Sequence, residues 1–91
     1  MPGRPKKRRI VQGEPRIYQF SPRGKPGRPD VVTLDADLFE AVRLADHQGQ
    51  SQQKAAQSMG ISQQTFSRLI RRAHKIMADA LVNGKTIHIK Y

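Results

Sequence analysis

The sequence contains no cysteine and no tryptophan, and only 5% of its 91 residues are aromatic. The absence of cysteine excludes disulfides, cysteine nucleophiles and zinc sites with thiolate ligands. No apolar run approaches the roughly 20 residues that a membrane-spanning helix needs. No apolar stretch follows the basic N-terminus, as it would in a secretory signal. We therefore expect a soluble cytoplasmic protein with no membrane partner.

Acidic residues are also scarce. Seven Asp and Glu stand against 17 Lys and Arg, which gives a formal net charge of +10. Such a surplus favours a polyanionic partner but does not specify a fold. Residues 1–30 hold nine basic and two acidic residues, all six prolines and few apolar side chains. This composition predicts a basic Pro/Gly-rich arm, because the segment cannot bury enough apolar surface to offset its ordering entropy.

Most apolar residues lie in residues 31–91, which are enough for one small domain. Their spacing predicts three helices, over residues 36–48, 51–59 and 63–82. On the third helix the apolar residues occupy one face, and the opposite face is cationic and polar. On the first, we expect Glu40, Arg43 and Asp46 to pair with one another on the solvent side.

Cap residues mark the helix ends. Asp35, Ser51 and Ser62 are the expected N-caps, since a side-chain oxygen there accepts a hydrogen bond from a free backbone N–H. Gly60 is expected to end the second helix in the left-handed conformation. The second and third helices are then joined by a short turn over residues 60–62.

Two segments have the composition or alternation of strands. Residues 86–91 alternate with a period of two, and residues 16–20 are rich in β-prone side chains. A lone strand is unstable, so the C-terminal strand is expected to pair either with residues 16–20 or with a second subunit. A homodimer is a further expectation, with this strand as its seam.

Two helices joined by a short Gly-containing turn are typical of a helix-turn-helix. The predicted fold is therefore mainly α, a three-helix helix-turn-helix domain with a basic arm and a C-terminal strand. In such motifs the second helix enters the major groove of DNA, and its N-terminal residues reach base edges. The expected base-reading residues are Gln63, Gln64, Thr65, Ser67 and Arg68. The expected phosphate-binding residues are Ser62, Arg71, Arg72 and Lys75.

Residues 51–75 resemble the helix-turn-helix of sigma factor region four, with small residues in its first helix and a Gly-hydrophobic-Ser turn. More widely, the chain resembles a family of small predicted DNA-binding proteins of bacteria and archaea. The motifs that carry this resemblance lie at residues 40–46, 55–62 and 78–85. The resemblance implies a sequence-specific transcriptional regulator that binds double-stranded DNA and is associated with the nucleoid. Family members often have acidic residues where this chain has Gln52, Gln53 and Lys54, and many carry a cysteine in the basic segment.

The N-terminal segment also resembles an AT-hook, whose Gly-Arg-Pro core lies in the minor groove of A·T-rich DNA. That resemblance implies insertion of Arg4 into the groove. The arm residues expected on phosphates are Lys6, Lys7, Arg8 and Arg9. The alternative is a disordered basic tail that raises affinity without reading sequence.

Two other functions stay open. One alternative is an RNA-binding or ribosome-associated basic protein. The other is a sigma-like adaptor that contacts RNA polymerase through the same helices. The chain is not expected to be an enzyme, because its sequence shows no arrangement of acid, base and nucleophile that could form a catalytic site. No cofactor or metal is expected either, since His47, His74 and His88 lie on separate elements without ligand spacing.

Overall fold

Three α-helices and a small sheet form in the computed structural model, which describes residues 9–24 and 27–91. The three predicted helices are confirmed, and their boundaries agree closely with those expected. The first helix continues past its α-helical part as a π-helical turn over Arg43–His47. In chain order the elements are β1 (Gln19–Phe20), β2 (Val31–Asp35), α1 (Ala36–Val42), α2 (Gln52–Met59), α3 (Gln63–Asn83) and β3 (Thr86–Lys90).

The sheet has the strand order β1-β3-β2, with β3 in the centre. β3 runs antiparallel to β1. Of the segment 16–20, one of the two expected partners, Gln19–Phe20 thus form the partner strand. β2 was not predicted, and it pairs parallel to β3 with Leu34 opposite Ile89. Because β3 has a neighbour on each side within the chain, the expected dimer seam at that strand is not available there.

Two of the three predicted N-caps form. Ser51 Oγ accepts a hydrogen bond from Lys54 N–H at 3.1 Å, and Ser62 Oγ accepts one from Thr65 N–H at 3.0 Å. Asp35 occupies the N-cap position as predicted, but its side chain makes no capping hydrogen bond, so that part of the prediction was wrong. Asp37 Oδ1 instead accepts the Leu38 N–H at 2.8 Å, which satisfies a donor of the first turn.

The core lies between α1, α2 and α3, with the sheet closing one side. Phe66, Leu38 and Met59 are the largest apolar side chains that are fully buried. The predicted apolar face of α3 is confirmed, and β2 and β3 each add one buried apolar side chain, Leu34 and Ile89. Burying each large apolar side chain contributes about 1.5–3 kcal/mol, so this core fixes how α3 lies against the other helices.

Glu40 was expected on the solvent side of α1, and that prediction was wrong: the residue is only 1% exposed. A segment of the arm, residues 10–15, lies over this side of α1, and we call it the strap. Backbone N–H groups of Gln12 and Gly13 donate to the Glu40 carboxylate. Arg43 pairs with Glu40 as predicted. Asp46 lies in the π-helical turn and instead pairs with His74 of α3.

Candidate nucleic-acid interface

The start of α3 is built by the turn that precedes it. Gly60 has the left-handed conformation that was expected, with φ of 66°, and the Ile61 N–H donates to Ala56 O at 3.1 Å. The chain then reverses and Ser62 begins α3. The Ser62 hydroxyl also donates to Thr65 Oγ1 at 2.9 Å. Both hydroxyls are therefore used to order the first turn, and Thr65 is less available for a base than its position in the sequence indicated.

The polar face of α3 lies opposite its buried face. Successive neighbours on a helix surface are three or four residues apart. That spacing places five of the predicted residues in one continuous row, and Arg72 and Thr65 in the row beside it. In the first row Ser67 is half-buried and the other four residues are exposed. The row consists of Gln64, Ser67, Arg68, Arg71 and Lys75.

The cations of this face have no acidic partner in the part of the chain that the structure describes. The ion pairs found there use Arg9, Arg43, His74 and Lys85 as their basic members. Arg68, Arg71, Arg72 and Lys75 take part in none of them, which leaves their charges free for an external anion. The face therefore has concentrated, uncompensated positive charge, the property that a phosphate backbone requires.

One acidic residue from outside α3 lies at the rim of this face. Asp46 Oδ2 is 2.6 Å from His74 Nε2, and both side chains are about half exposed. This pair joins α3 to the π-helical turn after α1. Sequence analysis missed it because the two residues are 28 positions apart and share no helix.

The arm is described only from Arg9 onward. Arg9 was expected on phosphate, and its guanidinium lies 3.4 Å from the Asp37 carboxylate of α1. Its side chain is 41% exposed, so the pair is open to water. The other predicted arm residues, Arg4, Lys6, Lys7 and Arg8, lie outside the described residues.

Glu40 of α1 is a polar residue whose surroundings sequence analysis misplaced. Burial raises the pKa of its carboxyl, but the hydrogen bonds from Arg43, Gln12 and Gly13 and the Arg43 charge outweigh burial and hold that pKa below its usual value. The same hydrogen bond raises the pKa of Arg43. A signal was present in the sequence, since Glu40 is four residues before the buried Leu44 and shares its helix face.

Within the described ranges, no group of three or more His, Asp or Glu side chains is placed to hold a metal ion. No helix there combines the length and the apolar character needed to cross a membrane. The polar face of α3 is thus the feature with the most evident binding chemistry.

Comparison with known proteins gives relatives along the whole chain. The family described as "protein of unknown function DUF134" matches residues 1–91. The chain is 48% identical to a UPF0251 protein of Desulfosudis oleivorans over 96% of its length and 64% of that protein's. It is 44% identical to one of Prosthecochloris aestuarii, over 97% of this chain and 57% of the relative. It is 43% identical to a UPF0251 protein of Methanococcus vannielii, over 96% of this chain and 68% of the relative. The chain thus spans about three-fifths of the length of the first two relatives, and no solved structure matches it.

Proposed function

We propose that this chain, which belongs to the DUF134 family of bacterial and archaeal proteins, is a sequence-specific double-stranded DNA-binding protein that regulates transcription. The observation that carries the proposal is the uncompensated polar and cationic face of α3, which begins directly after a tight turn from α2. In this proposal α2, the turn and α3 form a helix-turn-helix, and α3 is the helix that enters the major groove.

The order of residues along α3 supports separate roles for its two halves. Gln63, Gln64 and Arg68 are exposed and close to the start of the helix. A glutamine amide can form two hydrogen bonds with adenine, and an arginine guanidinium can form two with guanine. Arg71, Arg72 and Lys75 come later, where the helix leaves the groove and phosphate contacts are expected.

α2 braces the reading helix in this arrangement. Its outer side chains Gln52, Gln53 and Lys54 are exposed, and Ala55 and Ala56 are buried against the core. Small buried residues allow α2 to approach its neighbours closely. The polar outer side can then contact the DNA backbone without the repulsion that acidic residues would cause.

Selection from a pool of random duplex DNA, at about 150 mM salt, tests the proposal because salt at this level suppresses non-specific binding. We expect an enriched motif. A structured RNA competitor at the same salt should displace little of the DNA. Retained affinity without any enriched motif, or preferential binding of the RNA, would overturn sequence-specific recognition. If the chain enriches no motif but captures RNA polymerase in the absence of DNA, the result would support the sigma-like adaptor instead.

A further inference from the structure

The buried carboxylate of Glu40 receives hydrogen bonds from the backbone of the strap and from the Arg43 side chain. Glu40 Oε2 accepts from Gln12 N–H at 2.9 Å, and Oε1 accepts from Gly13 N–H at 3.1 Å. Arg43 completes the set, with Nε 2.7 Å from Oε1 and Nη2 2.9 Å from Oε2. Four donors therefore converge on one carboxylate, and two of them belong to the arm.

The other end of the strap is held at the turn between α2 and α3. The Ile10 N–H donates to Met59 O, at the last residue of α2, with a distance of 3.0 Å. The Ile10 side chain lies beside Gly60, where an added Cβ would be 3.4 Å from Ile10 Cδ1. The strap therefore runs from α1 to the turn that immediately precedes the proposed reading residues.

The path of the strap determines where residues 1–8, the N-terminal part of the arm, join the described structure. Residues 1–8 contain four basic side chains, and they connect to the described structure at Arg9, one residue before the strap. Eight extended residues span at most about 29 Å. The backbone of these residues therefore reaches at most about that distance from Arg9, which is next to the strap residue held at the α2–α3 turn.

We propose that Glu40 is a positioning residue for DNA binding: it holds the strap so that the basic arm and α3 contact the same stretch of duplex in a fixed register. This inference rests on the proposed function. Glu40 is buried beneath the strap and does not itself contact DNA in this proposal. It acts only by fixing the point from which residues 1–8 extend.

Stabilisation alone is a poor explanation for a charged group in this position. Apolar residues of similar volume often replace a buried ion pair with no loss of stability. A carboxylate offers what they cannot, because it accepts backbone N–H groups and so holds residues 12–13 whatever their side chains are. It fixes the path of the chain, which is the property that an attached arm needs.

Directed cleavage of DNA tests this inference. The chain has no cysteine, so Pro2→Cys provides a single attachment point for an iron chelate, outside the Gly-Arg-Pro core, and leaves every charge in place. Bound to the selected DNA motif, the labelled protein should cut one narrow cluster of positions beside the α3 contacts. With Glu40→Gln added, the strap donors lose one carboxylate oxygen, and we expect the cuts to spread and weaken. Affinity should fall by up to about two- to three-fold, the loss expected if the Ile10–Met59 hydrogen bond is released together with residues 12–13, because the free tether of the basic residues then nearly doubles in length.

A second variant approaches the same contact from the strap. Gly13→Ala changes no charge, but its Cβ would collide with the Arg43 side chain, so either the strap or Arg43 must move and the donors around Glu40 are disturbed. It should give the same spread of cuts as Glu40→Gln. Asp79→Asn is the matched control, because it removes another ion-paired carboxylate, 2.9 Å from Lys85 Nζ, near the far end of α3. Circular dichroism establishes that each variant is folded.

The outcomes separate this inference from the proposed function. If the unaltered chain selects no motif and binds no duplex DNA, both are overturned. If it binds a motif and neither Glu40→Gln nor Gly13→Ala alters the cleavage pattern, the positioning role is overturned and the proposed function stands. If Asp79→Asn spreads the cuts equally, the effect is a general loss of stability and the positioning role is again overturned.

Discussion

A single carboxylate that accepts four hydrogen bonds is expected to stabilise the protein as well as to hold the strap. The pKa of Glu40 is lowered from its ordinary value of 4.5, so the folded state favours the ionised form. The stability that this ionisation contributes is present above the ordinary pKa, and it is lost as the pH falls through the lower, folded-state pKa.

We expect Glu40→Gln to lower the free energy of unfolding by about 1.5–3 kcal/mol near neutral pH, the usual range for hydrogen bonds to a charged group. The difference from the unaltered chain should shrink as the pH falls below the ordinary pKa. Urea denaturation at a series of pH values measures it. A difference that stays constant down to strongly acidic pH would contradict the assignment of the stability to ionised Glu40.

Arg68 is the residue on which proposed sequence recognition depends most. Arg68→Ala should weaken binding to the selected motif by about 1–3 kcal/mol and relax the preference at one base pair. Lys75→Ala is the control, since a phosphate contact should affect all sequences nearly equally. Titration of the motif and of random duplex measures both. Equal losses on the two DNAs for Arg68→Ala would show that this residue reads no base.

At the scale of the element, α3 depends on the cap that begins it. Ser62→Ala removes the acceptor of the Thr65 N–H and should destabilise the protein by about 1 kcal/mol. Ser58→Ala, within α2, removes a hydroxyl that does not cap a helix, and its effect should stay within about 0.5 kcal/mol. Thermal and urea denaturation compare the two. Similar losses for both variants would mean that the cap adds little to α3.

Helices and strands differ in how far the sequence specified them. The helix limits depend on apolar periodicity and on caps within a few residues, as at Ser51 and Gly60, and these were predicted. β2 depends on parallel pairing with β3, which lies beyond all three helices in the sequence. No local pattern contains that information, so β2 appears only when the tertiary structure brings the two segments together.

For the whole molecule, which has a net charge of +10, the number of basic side chains that contact phosphate determines how the proposed DNA binding depends on salt. Neutralising the four basic residues of segment 1–8 with glutamine should reduce the slope of log affinity against log salt by up to about 3.6, since each phosphate contact contributes about 0.9. Titrations between about 50 and 200 mM salt measure this slope. An unchanged slope would mean that these residues make no contact with phosphate. The variant should unfold at the same temperature as the unaltered chain.

The sequence by itself determined the charge, the three helices, two of their N-caps and the composition of the polar face of α3. These features depend on the identity of residues a few positions apart, and such local interactions form largely independently of the rest of the chain. The tertiary structure decided that Glu40 is buried beneath the strap, that Asp46 joins His74, and that β3 lies between two strands of its own chain. Each of these joins residues far apart in sequence, so its geometry exists only after the helices have packed.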